Sequence, residues 1–144
     1  MVEQAKALPE FTVDSEAYWD ACAKKELRLQ RCRDCRTFRF YPSPMCHAPD
    51  CMCLEYDWVQ VSGRGEVYTY TVVHRPVSEA WVKDTPYVIA MIKLLEGPFM
   101  MSNVVDCPPG EVRIGMPVEV VFKDLAEGVT LPYFRPEGRR RAAR

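Results

Sequence analysis

Apolar and polar residues alternate along much of the second half of the chain, the period of half-buried strands. In "WVQVSGRGEVYTYTVVHRP" (58–76), Val67, Thr69, Thr71 and Val73 fall on one face, and Tyr68, Tyr70 and Val72 on the other. The glycines of "SGRG" predict a bend or bulge within or before that strand. "PYVIAMIKLLEGP" is a nearly continuous apolar run closed by Gly97-Pro98, which predicts a buried strand. "FMMSNVVDCPPG" predicts another, stopped at Pro108-Pro109-Gly110. In "IGMPVEVVFKDLAEG", Val118, Val120 and Phe122 lie opposite Glu119, Val121 and Lys123, and "VTLPYFRP" supplies a last short strand. Four or five antiparallel strands in about 80 residues, with no helical repeat between them, predict a small closed barrel. Five strands of this size fit an OB-like barrel best, with an SH3-like barrel or a sandwich as alternatives.

The first thirty residues have a different rhythm. "DSEAYWDACAKKELRLQ" (14–30) predicts a helix, with Asp14 or Ser15 as N-cap and Glu16 and Asp20 near the positive end of its dipole. Tyr18, Cys22 and Leu29 mark an apolar stripe, and Lys24, Lys25 and Glu26 lie near the exit. Cys22 reads as a small buried hydrophobe. Tyr18 and Trp19 suit either the core or a partner's surface.

Between helix and strands, "RCRDCRTFRFYPSPMCHAPDCMC" (31–53) holds five of the chain's seven cysteines. An odd number cannot all pair as disulfides. Cys32 and Cys35 form a C-x2-C pair able to grip one ion from a tight turn. Ten residues intervene before Cys46 and four more before Cys51. "TFRFYPSP" offers a short strand, Phe38 to Tyr41, ended by two prolines. Two knuckles joined by short strands predict a zinc ribbon with four sulfur ligands around a closed tetrahedral Zn2+. Its folding free energy would come from the metal. Such a site has no open position for a catalytic water, so the zinc would be structural. Cys51, Cys53 and His47 compete for the fourth position. His47 adjoins Cys46, and adjacent side chains point apart; spacing slightly favours Cys51, which makes the more compact second knuckle. The chain thus divides into a helical segment (1–29), a zinc ribbon (30–57), a barrel (58–137) and a basic tail (138–144).

Composition narrows the function. The 144 residues carry 48% hydrophobic and 27% charged residues with a net charge of −1, as expected of a globular protein with a real core and no overall positive field for nucleic acid or anionic lipid. The end, "RPEGRRRAAR", reads as a solvated tail, or secondarily as a phosphate-binding arm. No apolar leader is visible, and no stretch approaches the ~18 apolar residues of a membrane span. A reducing cytoplasm is therefore expected, where clustered cysteines favour metal over disulfides. No catalytic residues are expected. Of the two histidines, His74 stands beside Arg75 with no nucleophile motif near it. "SGRG" is too short for a phosphate loop, and Asp106-Cys107 precedes a double proline, as in a strand-end turn. Tyr68, Tyr70, Tyr87, Phe99 and Tyr133 could stack bases, but the barrel mixes Glu66, Glu79, Glu96, Glu111, Glu119, Asp124 and Glu127 with its few cations. These features describe a binding or scaffolding module.

"YWDACAKKELRLQRCRDC", a cysteine seven residues before Trp58, "VSGRGEVYTYTVVHRP", "PYVIAMIKLLEG", "IGMPVEVVF" and "LPYFRP" together resemble the DUF35 family, over roughly residues 15–137 and in the family's order. The resemblance implies an OB-fold joined to a rubredoxin-like zinc ribbon, in proteins associated with acyl-CoA metabolism. Its tryptophan register points to Cys51, with Cys53 where the family often has Ser, although the second knuckle here is C-x4-C rather than the usual C-x2-C. The implied ligands of one structural Zn2+ are Cys32, Cys35, Cys46 and Cys51, with Cys53 and His47 as bystanders. The resemblance further implies a non-catalytic accessory subunit of a thiolase-like enzyme, helping to hold an acyl-CoA while the partner supplies nucleophile and base. Arg64, Arg75 and Arg135 are then candidates for CoA phosphate contact, or ordinary surface arginines. The rival readings are a stand-alone acyl-CoA-binding or thioesterase-like protein and, behind it, a single-stranded nucleic-acid binder.

Overall fold

The computed structural model describes residues 5–138. Most of the expected basic tail, including Arg139, Arg140, Arg141 and Arg144, lies outside the described residues. Helix α1 (Glu16–Ala23) starts at Ser15, whose carbonyl accepts the Trp19 N–H at 3.1 Å. The Ser15 hydroxyl faces backward, accepting the Thr12 N–H at 2.9 Å. Tyr18, Trp19, Ala21 and Cys22 are buried, and Trp19 Nε1 donates to the Tyr41 hydroxyl at 3.0 Å. Of the two readings of Tyr18 and Trp19, the structure takes the core. The helix is shorter than its pattern suggests. Lys25 adopts φ +63° and turns the chain, so Leu29 is not on the helical stripe but in the next strand. There it pairs with Val59 and is buried from a sheet.

That sheet is the ribbon: β1 (Arg28–Cys32) lies between β2 (Phe38–Arg39) and β3 (Tyr56–Gln60), all antiparallel. The strand expected at Phe38–Tyr41 keeps only its first two residues. By its hydrogen bonds β3 belongs to the ribbon, which places Trp58 opposite Gln30.

Five further strands close a barrel: β4 (Arg64–Val73), β5 (Tyr87–Leu94), β6 (Phe99–Val104), β7 (Pro117–Ala126) and β8 (Val129–Pro136), in the order β4-β5-β6-β8-β7. Every seam is antiparallel but one. β6 and β8 run parallel where Val104 faces Phe134, and the Val105 N–H donates to the Phe134 carbonyl at 2.7 Å. In β5 the apolar run resolves into alternation, with Val88, Ala90, Ile92 and Leu94 inward. β7 keeps the faces its pattern predicts: Val118 is buried, and Val120 and Phe122 pack on the core.

β4 departs from its pattern. Val67 faces Ile92 and Thr69 faces Met91, so Tyr68 is the extra residue of a bulge. The bulge switches the inward face. Val67 points in before it and Tyr70 and Val72 after it, while Thr69 and Thr71 are exposed. The single face predicted for Val67, Thr69, Thr71 and Val73 is therefore interrupted. Helix, ribbon and barrel share one core, in which Tyr18 and Leu29 join Val67, Ile92, Met100 and Phe134.

The bend before β4 depends on Gly63, at φ +71°. A Cβ there would meet Val120 Cγ1 at 2.3 Å, while the Gly63 carbonyl already accepts the Val120 N–H at 2.7 Å. Backbone and neighbour both resist a side chain. Gly63→Ala should cost about 1–3 kcal/mol, read as a lower urea midpoint at unchanged metal content.

Candidate metal centre

The first knuckle is the turn leaving β1. The Cys32 N–H donates to the Thr37 carbonyl at 3.0 Å, and the Arg36 N–H to the Cys32 carbonyl at 3.2 Å. Arg36 takes φ +64°, so the chain reverses between the two cysteines and strand β2. The second knuckle is held from both ends. The Cys46 N–H donates to the Cys53 carbonyl at 2.9 Å, and the Cys51 N–H to the Ala48 carbonyl at 3.2 Å. The Ala48 N–H points at Cys46 Sγ, 3.5 Å away.

These turns bring the sulfurs of Cys32, Cys35, Cys46 and Cys51 within 4.8 Å of one another. Two edges, Cys32–Cys51 and Cys35–Cys46, are 3.6 Å. Four sulfurs at ~2.3 Å from a central Zn2+ would stand ~3.8 Å apart, so the spacing fits a tetrahedral ion. Cys53 is engaged elsewhere: its sulfur accepts the Glu55 N–H at 3.4 Å and lies 3.5 Å from the Glu55 carbonyl. His47 is exposed and outside the group.

Electrostatics favour a cation here. Burial raises the Cys32 thiol, but the N–H groups of Cys35 and Asp34 outweigh it and bring it down to about 6. Hydrogen bonds from the Thr37 side chain and backbone lower Cys35. Cys51 accepts the Cys53 N–H, which lowers it, yet burial and the three neighbouring sulfurs push it up to about 12. Cys46 is also raised, its lowering bond from Ala48 being outweighed by burial and Cys35. Four thiols this close cannot all ionise alone, and a divalent ion removes that conflict.

The other candidate positions are not assembled into a site. His74 and Arg75 are exposed beyond the end of β4. Arg64 pairs with Glu137, and Arg135 Nε donates to Glu119 at 2.9 Å. Cys22 is buried, which raises its thiol to about 11. Among the aromatics, Tyr68 packs edge-on to Phe99 at 4.9 Å, while Tyr87 packs with Trp81 at 5.6 Å. A cleft of about 380 Å3 opens beside Trp81, Tyr87 and Tyr133. Its lysines are matched by carboxylates, Lys6 to Asp84 at 2.5 Å and Lys123 to Asp106 at 3.5 Å, so it offers no ready phosphate pocket. Among the described residues no helix is long and apolar enough to cross a membrane. A polar pair on facing strands of the ribbon, Gln30 of β1 and Arg39 of β2, is buried. It was not anticipated from the sequence, because an arginine in a two-residue strand gives no periodicity to read.

An OB-type barrel fused to a four-cysteine ribbon matches two family models: the rubredoxin-like zinc ribbon domain of ChsH2 over residues 19–51 and the ChsH2 C-terminal OB-fold domain over 58–123. A DUF35 domain-containing scaffold protein of Methanocaldococcus jannaschii is 43% identical over 98 residues, 67% of each chain. A probable enoyl-CoA hydratase alpha subunit of Thermomonospora curvata is 36% identical over 137 residues, 93% of this chain. The chain spans 42% of that subunit's length. Among solved structures, a chain of the Ltp2-ChsH2(DUF35) aldolase superposes with a TM-score of 0.79 at 37% identity, covering 89% of this chain and 98% of the other. The protein belongs to the DUF35 family.

Proposed function

We propose that this chain is a cytoplasmic, non-catalytic accessory subunit of a thiolase-type enzyme complex, helping to bind an acyl-CoA and to shape its partner's active site. Cys32, Cys35, Cys46 and Cys51 hold one structural zinc. The observation that carries the reading is the match over 98% of a chain of the Ltp2-ChsH2(DUF35) aldolase. The closed four-sulfur group supports it, since four thiolates saturate a tetrahedral ion and leave it no reacting position. When bound, zinc supplies folding free energy to the ribbon. The protein's own part is to fix the knuckles with N–H···S bonds and to present the ribbon and barrel beside a catalytic partner.

The test is affinity purification of the tagged chain from its native cells. A thiolase-like polypeptide should accompany it in stoichiometric amount, and the isolated chain should not hydrolyse acyl-CoA thioesters. Thioesterase turnover by the isolated chain, with no accompanying subunit, would overturn the proposal.

A further inference from the structure

Arg39 is the one charged side chain among the described residues that is buried, only 7% exposed. Its Nε donates to Gln30 Oε1 at 2.8 Å, and the Ser43 N–H donates to the same oxygen at 2.9 Å. Two donors on one atom fix the orientation of the amide. Arg39 Nη1, Arg39 Nη2 and Gln30 Nε2 are buried, and no protein group accepts from them. Every unmatched atom of the pair is thus a donor. Among the described residues no carboxylate pairs with the guanidinium. A buried cation is expensive unless an opposite charge stands near it.

The strand register indicates where that charge lies. Gln30 and Cys32 are two residues apart in β1, on one face of the sheet and ~7 Å from each other. Arg39 faces Gln30 across one seam, and Tyr56 faces Cys32 across the other. Directly opposed residues project to the same side. The Arg39 guanidinium carbon lies 4.8 Å from the centre of the Tyr56 ring, so the cation is laid over the residue directly across from Cys32. Four thiolates on a divalent ion carry a net charge of 2−. Arg33, also near the knuckles, pairs with Asp57 at 2.9 Å and is half exposed, so its field is offset and screened.

We infer that Arg39 is the internal counter-charge of the metal-bound cysteine group. Gln30 and the Tyr56 ring hold it there, and it strengthens metal retention through the protein interior. The inference rests on the zinc reading above and adds a residue to it that ligates nothing.

Gln30→Glu separates charge from packing. It keeps Oε1 for Ser43 and Arg39 Nε, replaces the unmatched Nε2 with an acceptor for the guanidinium, and cancels the positive charge. Zinc content of the wild-type chain is measured first, and a chain isolated without zinc would overturn the zinc reading and this inference together. With zinc present, release into excess chelator is timed at fixed pH, with circular dichroism to verify folding. Gln30→Glu and Arg39→Met should release zinc about tenfold faster than wild type, and Arg39→Lys close to the wild-type rate. A purely structural pair predicts the opposite for Gln30→Glu, which gains a hydrogen bond. Release at the wild-type rate from a folded Gln30→Glu would overturn the counter-charge role while leaving the zinc reading intact. Should Gln30→Glu fail to fold, equal release rates from Arg39→Lys and Arg39→Met would overturn it as well.

Discussion

Cys32→Ser and Cys51→Ser should each yield protein without zinc and without an ordered ribbon, whereas Cys53→Ser should keep both. The contrast follows from where the sulfurs lie. Cys32 and Cys51 are 3.6 Å apart within the four-sulfur group, and Cys53 Sγ is occupied with Glu55. Between the knuckles the ribbon has only a two-residue strand, and each knuckle is held by a few backbone hydrogen bonds. It has little of its own to offset the entropy of ordering the 46–53 loop. Structural zinc contributes roughly 10–16 kcal/mol in small domains of this kind, comparable with the whole stability of an ordinary domain, about 5–15 kcal/mol. Loss of one ligand should therefore appear as loss of stoichiometric zinc by metal analysis, with a broadened or lowered thermal transition. Zinc retained in Cys51→Ser and lost in Cys53→Ser would reassign the fourth ligand.

The cysteine group and the barrel strands were legible in the sequence for different reasons. Strands alternate because one face is buried, so "IGMPVEVVFKDLAEG" states its own inward residues, Val118, Val120 and Phe122. "GRGEVYTYTVV" could not announce its bulge. Val, Thr and Tyr suit either face of a strand, and only the offset between the β4–β5 partners reveals Tyr68 as the extra residue. The helix pattern overran its end for a similar reason. Leu29 continues the stripe at helical spacing, but Lys25 at positive φ turns the chain first, and a lysine there carries no such signal. Three donors competed for the fourth position; spacing slightly favoured Cys51, and the tryptophan register of the family resemblance pointed to it as well. The fold then brings that sulfur, and neither Cys53 nor His47, into the group. Arg39 was illegible because arginine ordinarily marks a surface, and its burial arises from pairing with Gln30 across the β1–β2 seam and from the Tyr56 ring of β3.

Phe134→Ala should lower the thermal midpoint by about 6–20 °C, and zinc release should move down with it. The ring is fully buried. Its strand is held on both sides, by Val120 in β7 and by the parallel seam at Val104 in β6. Truncating a buried Phe costs roughly 3–5 kcal/mol, and each kcal/mol shifts the midpoint of a domain this size by about 2–4 °C. The second half of the prediction comes from the core's continuity. Phe134 belongs to the same buried cluster as Tyr18 of α1 and Leu29 of β1, and β1 carries Cys32 at its end. A cavity in the barrel therefore weakens the packing that positions the first knuckle, although no ligand is touched. Calorimetry with a zinc-sensitive dye should show one transition, with heat absorption and metal release coincident in wild type and variant alike. Two separated transitions, with zinc retained after the barrel has melted, would mean that the ribbon holds its metal without the barrel and that the shared core does not couple them.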